Sequence, residues 1–467
     1  MANTRKSPQS NALLAHVSAV VSRHAGRGDR LVAGLSGGVD SVVLIDLLRR
    51  LAGKLRFKLD ALHVNHQINP AAGRWAAFCR AWCKREGIPF KVVKVDVPRT
   101  ASLEAAARIA RYQALGAAGA DFIALAHNLD DQAETVLLQL LRGAGVKGAS
   151  AMPVLRGEAR GVRRKEKHRL TPHASPLTPS ILRPLLDIPR SEIVAYALNR
   201  GLQWIEDDSN ADVGFDRNFM RHQVLPVIAR RYPAYRRTLM RASGNFAEAA
   251  ELLDELAQAD AQLGANGLRI AALRGLSAAR AKNVVRYFLA THGLTMPNAT
   301  QLAECVRQLR QPRAVRVVVD LGEHALRRYA GELRVVAKVS SPAAGLCRVW
   351  QGENRMPVPE LYATLVMKKR RGAGISLAKL QAAVVTVRVR QGGESLRPHA
   401  RRPRRSLKNL LQEARLPPWL RERLPLLFCG NTLVYVPGIG IDTAFGARRD
   451  EAGIEPCWEP DAPPGRG

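Results

Sequence analysis

At 467 residues the chain has room for about three domains of roughly 150 residues each. Its 72 Lys and Arg against 40 Asp and Glu leave a formal charge of +32 and a pI near 10.9, an excess suited to a polyanionic partner, with nucleic acid the first to consider. Hydrophobic residues at 46% exclude a globally disordered chain, and aromatic residues at only 5% argue against repeated base-stacking platforms.

The basic start MANTRKSPQS is followed by NALLAHVSAVVSRHAG, where His16, Ser18 and Ser22 interrupt the apolar residues in an amphipathic pattern. That pattern predicts a surface helix and not a secretion signal. Six cysteines, at 79, 83, 305, 347, 429 and 457, are too sparse and irregular for a disulfide framework or a paired zinc site, which fits a reducing, cytoplasmic setting. An apolar run of about 18 residues, the length a membrane span needs, occurs nowhere in the sequence.

Over the first 130 residues four strand-like runs, RLVAGL, KLDALHVNH, FKVVKVDV and DFIALAH, are separated by segments that can hold crossover helices. This order predicts a parallel α/β sheet, and ligands of such sheets collect beyond the carboxyl ends of the strands. The residues to scrutinise are therefore 36–41, 63–66, 96 and 127–131. The stretch 155–179, dense in Arg, Lys and Pro, reads as a solvated linker or an RNA-contacting arm. Residues 236–310 turn Ala/Leu/Arg-rich with helical spacing, and VRVVVDL and GELRVVAKV then restore strand character. A mainly helical second domain closed by a short sheet is expected there. Residues 357–374, including MKKRRGAG, read as the next linker, ahead of a small α+β domain. The expected domains are 1–228, 229–345 and 380–460, with no convincing internal repeat.

SGGVDS, Ser36, Gly37, Gly38, Val39, Asp40 and Ser41, follows the first strand and precedes a helix whose apolar face is Val43, Leu44, Leu47, Leu48 and Leu51. Two glycines let backbone N–H groups converge, the serine hydroxyls add donors, and the helix start adds partial positive charge, a cradle for an anion such as pyrophosphate. Asp40 would repel a phosphate, so its sensible role is through a magnesium ion (Mg2+) shared with the phosphates. The loop lacks the lysine of a Walker loop and the GxGxxG of a dinucleotide site. GLSGG at Gly34–Gly38 does match a nucleophile elbow, and a purely structural tight turn is the remaining reading. Downstream, AHNLDDQAETVLLQLLRGAGVKG sets Ala133, Val136, Leu137, Leu140 and Leu141 on one helical face with Asp130, Asp131 and Glu134 at the helix start. Asp131 and Glu134 have capping-box spacing, whereas His127 and Asp130 are not needed for capping. His63 and His66 are spaced HxxH at a strand end, which does not place them as a zinc pair.

SGGxDS after a first strand resembles the PP-loop pyrophosphatase superfamily. HVNHQI, SLEAAARIARYQAL, the AHNLDDQAET segment, ILRPLLDIPRSEIVAYA, WIEDDSNAD and FDRNFMRHQVLPVI narrow the resemblance to the tRNA(Ile)-lysidine synthetase family. RQGGESLRPHARRPRRSLKNLLQEARLPPWLRERLPLL resembles the C-terminal domain of that family's long form. Family members usually read AHHxDDQAET, and this chain has Asn128 in place of the second histidine.

The resemblance implies a parallel-sheet PP-loop ATP-binding domain, a mainly helical tRNA-binding domain and a small α+β C-terminal domain. The activity implied is a two-step ligation on the wobble cytidine of tRNA(Ile) bearing a CAU anticodon. The cytidine oxygen attacks the α-phosphate of ATP, and free L-lysine then displaces AMP to give lysidine. ATP and Mg2+ are the implied cofactors, Ser36 to Ser41 and His63 the nucleotide contacts, Asp40 the metal holder, and Asp130, Asp131 and Arg108 further catalytic groups. Arg111, Arg217, Asn218, Arg221, Arg401, Arg402, Arg404, Arg405 and Lys408 are the implied RNA contacts, and the family includes homodimers. Two other readings are a tRNA-binding protein with an inactive PP-loop domain and a tRNA cytidine thiolase. Against the thiolase, the chain offers only Cys79 and Cys83, at CxxxC spacing inside a helical segment.

Overall fold

The run RLVAGL forms strand β1 (Arg30–Gly34), whose side chains alternate between two cores: Leu31 and Ala33 face one, Val32 the other. In this computed structural model, which describes residues 8–98, 103–157, 179–207, 212–264, 266–311, 318–338 and 345–460, β1 is a central strand of a six-stranded sheet. With β2 (Lys58–Asn65), β3 (Phe90–Lys94), β4 (Phe122–Ala124), β5 (Leu155–Arg156) and β6 (Ser180–Leu182), the order is β3-β2-β1-β4-β6-β5. All pairings are parallel except the edge strand β5, which runs antiparallel to β6. The expected parallel sheet is observed, and the sequence reading missed its two short strands β5 and β6.

Helices α1 (Pro8–His24), α2 (Val39–Leu55) and α3 (Ala72–Glu86) pack on one face, and α4 (Leu103–Gly116) covers the other. The predicted apolar face of α2 is wholly buried: Val43, Leu44, Leu47 and Leu48 are 0% exposed and Leu51 3%. Each such side chain contributes about 1.5–3 kcal/mol. Helix α5 (Leu129–Leu141) buries Ala133 and Val136, but Leu140 and Leu141 remain exposed at its end. The chain order changes direction between β1 and β4, so the loops after these two strands open on one crevice.

By contact density the chain divides into two units, 1–255 and 256–467. Inside the second, helices Ile270–Arg274, Ala278–Thr291 and Ala299–Arg310 bury Val284, Phe288, Leu302 and Val306 against a four-stranded sheet that ends with Glu332–Ala337. The helical region closed by a short sheet is thus observed. Beyond it lie a five-stranded and a four-stranded sheet, both antiparallel where paired. The linker expected at 357–374 is instead largely strand, Ala363–Arg371, paired along its length with Ala452–Pro460. Its inner half, ATLVM, is buried, and only KKRR is exposed; the charge run had hidden the apolar run before it. Most of the basic stretch 155–179 lies outside the described residues, as do 208–211 of WIEDDSNAD. No described helix is long and apolar enough to cross a membrane.

Leu47→Ala is expected to lower the stability of the first unit by about 2–5 kcal/mol. Leu141→Ala, at 75% exposure, should change it by under about 0.5 kcal/mol; urea unfolding of the two variants checks both.

Candidate active site

The turn from β1 into α2 places Gly37 at φ +96°, a conformation that favours glycine. A Cβ at Gly37 would also stand 3.1 Å from Ile205 Cδ1, and the amide of Ile205 donates to the Gly37 carbonyl at 2.9 Å. With that carbonyl turned outward, the amides of Ser36 and Gly37 converge on Ser41 Oγ (3.2 and 3.3 Å), and the Gly38 amide reaches Ser36 Oγ at 3.3 Å. Ser41 Oγ in turn donates to the Gly38 carbonyl at 2.9 Å. Two of these amides meet on Ser41 Oγ and the third on Ser36 Oγ at the start of a 17-residue helix, a place whose partial positive charge suits an anion. His63, 4% exposed, uses Nδ1 on the carbonyl of Leu35 at 2.8 Å, and so braces the loop from below. Burial lowers its pKa. A cleft of about 430 Å³ lies beside Ile205, lined by Arg74, Trp75, Phe78 and Glu206 among others.

Asp40, in the first turn of α2, faces the start of α5. Asn128 Nδ2 donates to Asp40 Oδ1 at 3.1 Å, and Arg190 Nε stands 3.7 Å from Oδ2. Burial first, and the charge of Asp131 second, raise the Asp40 pKa above the ordinary carboxylate value. A partly buried loop carboxylate of this kind, with Asn128 on one oxygen and Arg190 3.7 Å from the other, offers the oxygen donors that fit magnesium. The residue that departs from the family pattern therefore has a definite place: the Asn128 amide holds the loop aspartate.

Asn128 is also the N-cap of α5. Its Oδ1 accepts from the Asp131 amide at 3.1 Å, and Asp131 Oδ2 accepts from the Asn128 amide at 3.0 Å. The capping box expected from Asp131 and Glu134 is therefore displaced by one turn, because the helix begins at Leu129. Glu134, freed from capping, is 0% exposed and bridges Arg217 Nε and Arg221 Nε, each at 2.7 Å. Both arginines also reach Asp131 Oδ1, at 3.0 and 3.3 Å. They come from a helical run interrupted by a π-turn, Met220–Val224, a form common at functional sites. Asp130 accepts from the Arg190 amide at 2.9 Å and from Arg236 Nε at 2.5 Å.

Of the predicted residues the structure thus brings Asp131 to Arg217 and Arg221, while Asp130 is held by Arg190 and Arg236, Asp40 by Asn128, and Asn218 bonds the Asp212 carbonyl at 2.8 Å. Arg108 and Arg111 are exposed on α4, Arg108 over the Tyr112 ring at 5.3 Å and Arg111 at 3.4 Å from His66 Nε2. In the C-terminal region Arg401, Arg402 and Lys408 are exposed, while Arg404 pairs with buried Asp442 at 2.8 Å and Arg405 with Glu413. Trp419 packs edge-on against Tyr329 at 5.6 Å. Sequence reasoning missed Arg190 and Arg236 as partners of the acidic cluster. Arg190 sits in DIPRSE, a segment used only as a match, and nothing local marks Arg236. Gly37→Ala is expected to weaken binding of inorganic pyrophosphate at least about tenfold, the equivalent of the ~1–2 kcal/mol a side chain costs at positive φ, as calorimetry would measure.

The chain matches the family model described as a PP-loop domain over residues 11–228. It also matches those described as the TilS substrate binding domain over 268–334 and the TilS substrate C-terminal domain over 385–458. It is 45% identical to the tRNA(Ile)-lysidine synthase of Nitrosomonas europaea over 93% of this chain and 92% of that one. Identity to the tRNA(Ile)-lysidine synthase of Azoarcus sp. is 39%, over 93% of each chain, and to that of Coxiella burnetii 37%, over 90% of each. A glycine-rich loop whose aspartate is bonded by Asn128, at the head of the helix that carries Asp130 and Asp131, in a chain matched over nine-tenths of its length by these relatives, leads to one assignment: this chain belongs to the tRNA(Ile)-lysidine synthase family.

Proposed function

We propose that this protein ligates free L-lysine to the second ring carbon of the wobble cytidine in the CAU anticodon of tRNA(Ile), using ATP. Beyond family membership, the observation that supports this reading most is the contact between Asp40 of the SGGVDS loop and Asn128 at the head of the helix carrying Asp130 and Asp131. It supports a reading in which the loop would hold phosphate and the acidic pair a cationic second substrate on one crevice, as a two-step reaction requires. In the first step the cytidine oxygen bonds to the α-phosphate of ATP and the bond to pyrophosphate breaks. In the second the lysine amine bonds to the ring carbon, AMP leaves, and the amine gives up a proton.

The loop amides and the hydroxyls of Ser36 and Ser41 would hold the pyrophosphate oxygens as charge builds on them. Magnesium, carried with the nucleotide, would rest on Asp40 and supply further neutralisation of the leaving group. Asp130 and Asp131 would attract the lysine ammonium, and Arg108 the α-phosphate. Anticodon bases are unstacked more readily than duplex bases, so the cytidine can be reached without strand opening. We assign residues 1–228 to catalysis and 229–345 and 380–460 to tRNA binding. Arg111, Arg217, Asn218, Arg221 and the basic group Arg401, Arg402, Arg404, Arg405 and Lys408 are the proposed RNA contacts. Arg404 and Arg405 would reach phosphate only by giving up Asp442 and Glu413. Cytoplasmic location and a homodimer complete the reading.

The deciding experiment incubates the protein with ATP, magnesium, radiolabelled lysine and tRNA(Ile) bearing CAU, beside the methionine tRNA that shares this anticodon. Label in the isoleucine tRNA alone, with AMP and pyrophosphate released, is expected. Pyrophosphate release without label would reopen the choice of nucleophile, and neither signal with tRNA still bound would favour a binding protein. A second prediction uses the raised Asp40 pKa. Ionised Asp40 costs stability, and that cost grows as pH rises from the ordinary carboxylate value through the raised one, since the folded state there holds the extra proton. Asp40→Asn should therefore keep or raise the thermal midpoint at pH 7, while pyrophosphate release falls at least about 100-fold.

A further inference from the structure

His127 is the residue before the α5 cap, and the mechanism above makes no use of it. Its Nδ1 lies 3.3 Å from Nε of Arg183. A guanidinium carries donors only, so this ring nitrogen must be the acceptor. Arg183 itself is fixed. It is 2% exposed, its backbone amide bonds the Val154 carbonyl at 2.8 Å, and Nη1 donates to the Pro153 carbonyl at 2.7 Å. The parallel register that pairs Ala124 with Leu182 sets the two residues side by side at the ends of β4 and β6. Among the described residues no carboxylate pairs with Arg183, whose neighbours are neutral acceptors and the Tyr112 hydroxyl. A buried cation so placed is costly unless it does something for its neighbour.

The neighbour is a ring whose charged form is disfavoured. Burial, and then the guanidiniums of Arg183, Arg217, Arg108 and Arg111, push the His127 pKa down to about 3. A neutral imidazole that accepts at Nδ1 carries its one hydrogen on Nε2. The ring is partly exposed, and no described residue takes that hydrogen. The pattern is repeated nearby, where Arg111 Nε faces His66 Nε2 at 3.4 Å.

We propose that His127 is a hydrogen-bond donor, through Nε2–H, to a phosphoryl oxygen gathered by Arg108 and Arg111, and that Arg183 is the positioning residue that locks its tautomer. The tautomer stands on geometry alone; the identity of the oxygen rests on the adenylation reading. Such a donor stabilises charge on the phosphoryl oxygen without competing for protons, and no bond to the imidazole is made or broken. ATP and the tRNA backbone both offer that oxygen, and the test separates them.

Full-length protein labelled with 15N-histidine would be examined by two-bond proton–nitrogen correlation, with the His127 signal identified by its loss in His127→Gln. The Nε2–H pattern is expected, and it should give way to a mixture in Arg183→Met. A non-hydrolysable ATP analogue should move the Nε2 proton if the nucleotide is the source, and tRNA alone should move it if the backbone is. The Nδ1–H pattern in the wild type, or no response to either ligand, would overturn the proposal. Kinetics supply the second arm, because a glutamine amide nitrogen overlays Nε2 and an asparagine nitrogen overlays Nδ1. His127→Gln should keep kcat for pyrophosphate release within about tenfold, while His127→Asn and His127→Ala lose about 100-fold with tRNA affinity unchanged. Equal rescue by Asn and Gln would refute the assignment. Wild type that releases no pyrophosphate would sink the adenylation reading and leave the tautomer to the spectra.

Discussion

Everything in the crevice hangs on one buried carboxylate. Glu134 is 0% exposed and answered by two guanidiniums, so removing both would leave an uncompensated buried charge, at a cost of about 3–5 kcal/mol. Those guanidiniums come from residues 217 and 221, outside the sheet, and the same two arginines hold Asp131. The head of α5 is therefore in its working position only when the helical run after Asp216 has docked. A fragment cut at the end of the sheet would keep its acidic pair but lose the arginines that hold it, since the partners of Asp130 and Asp131 extend to Arg236.

The site keeps its acids and bases apart by neutral intermediaries. Between Asp40 and Asp131, which repel, stands the Asn128 amide, bonded to both residues. An amide donates whatever the surrounding potential, whereas an imidazole at that position would be drawn to take a proton by two carboxylates. The substitution found in this chain thus keeps a donor on Asp40 and removes a titrating group from the acidic side of the crevice. The cationic side, around His127, reaches neutrality by the opposite route, through burial and a surplus of guanidiniums.

Much of this was legible in the sequence, and the failures have physical causes. The strands β1 to β4 announced themselves because each carries a cluster of apolar residues, buried in β1, β2 and β4 and half-buried in the edge strand β3. Strands β5 and β6 are two and three residues long, too short for any periodicity to register. The SGGVDS loop was readable because glycine and serine at a strand–helix turn have few other uses. The role of Glu134 was not, since a glutamate three residues after an aspartate looks the same whether it caps a helix or pairs with arginines 83 and 87 positions away. Arginine partners such as Arg236 depend on long-range packing, which composition does not encode.

Cys79 and Cys83 sit in α3 on the core side, and Cys79 Sγ would lie 3.4 Å from a Cβ at Gly37. Burial pushes both thiols up to about 12. At neutral pH the reactive thiolate is therefore strongly disfavoured at both positions. Oxidants and alkylating reagents, which attack the thiolate, find almost nothing to react with beneath the phosphate loop. The burial that packs Cys79 beneath Gly37 is thus also what keeps its sulfur in the unreactive thiol form.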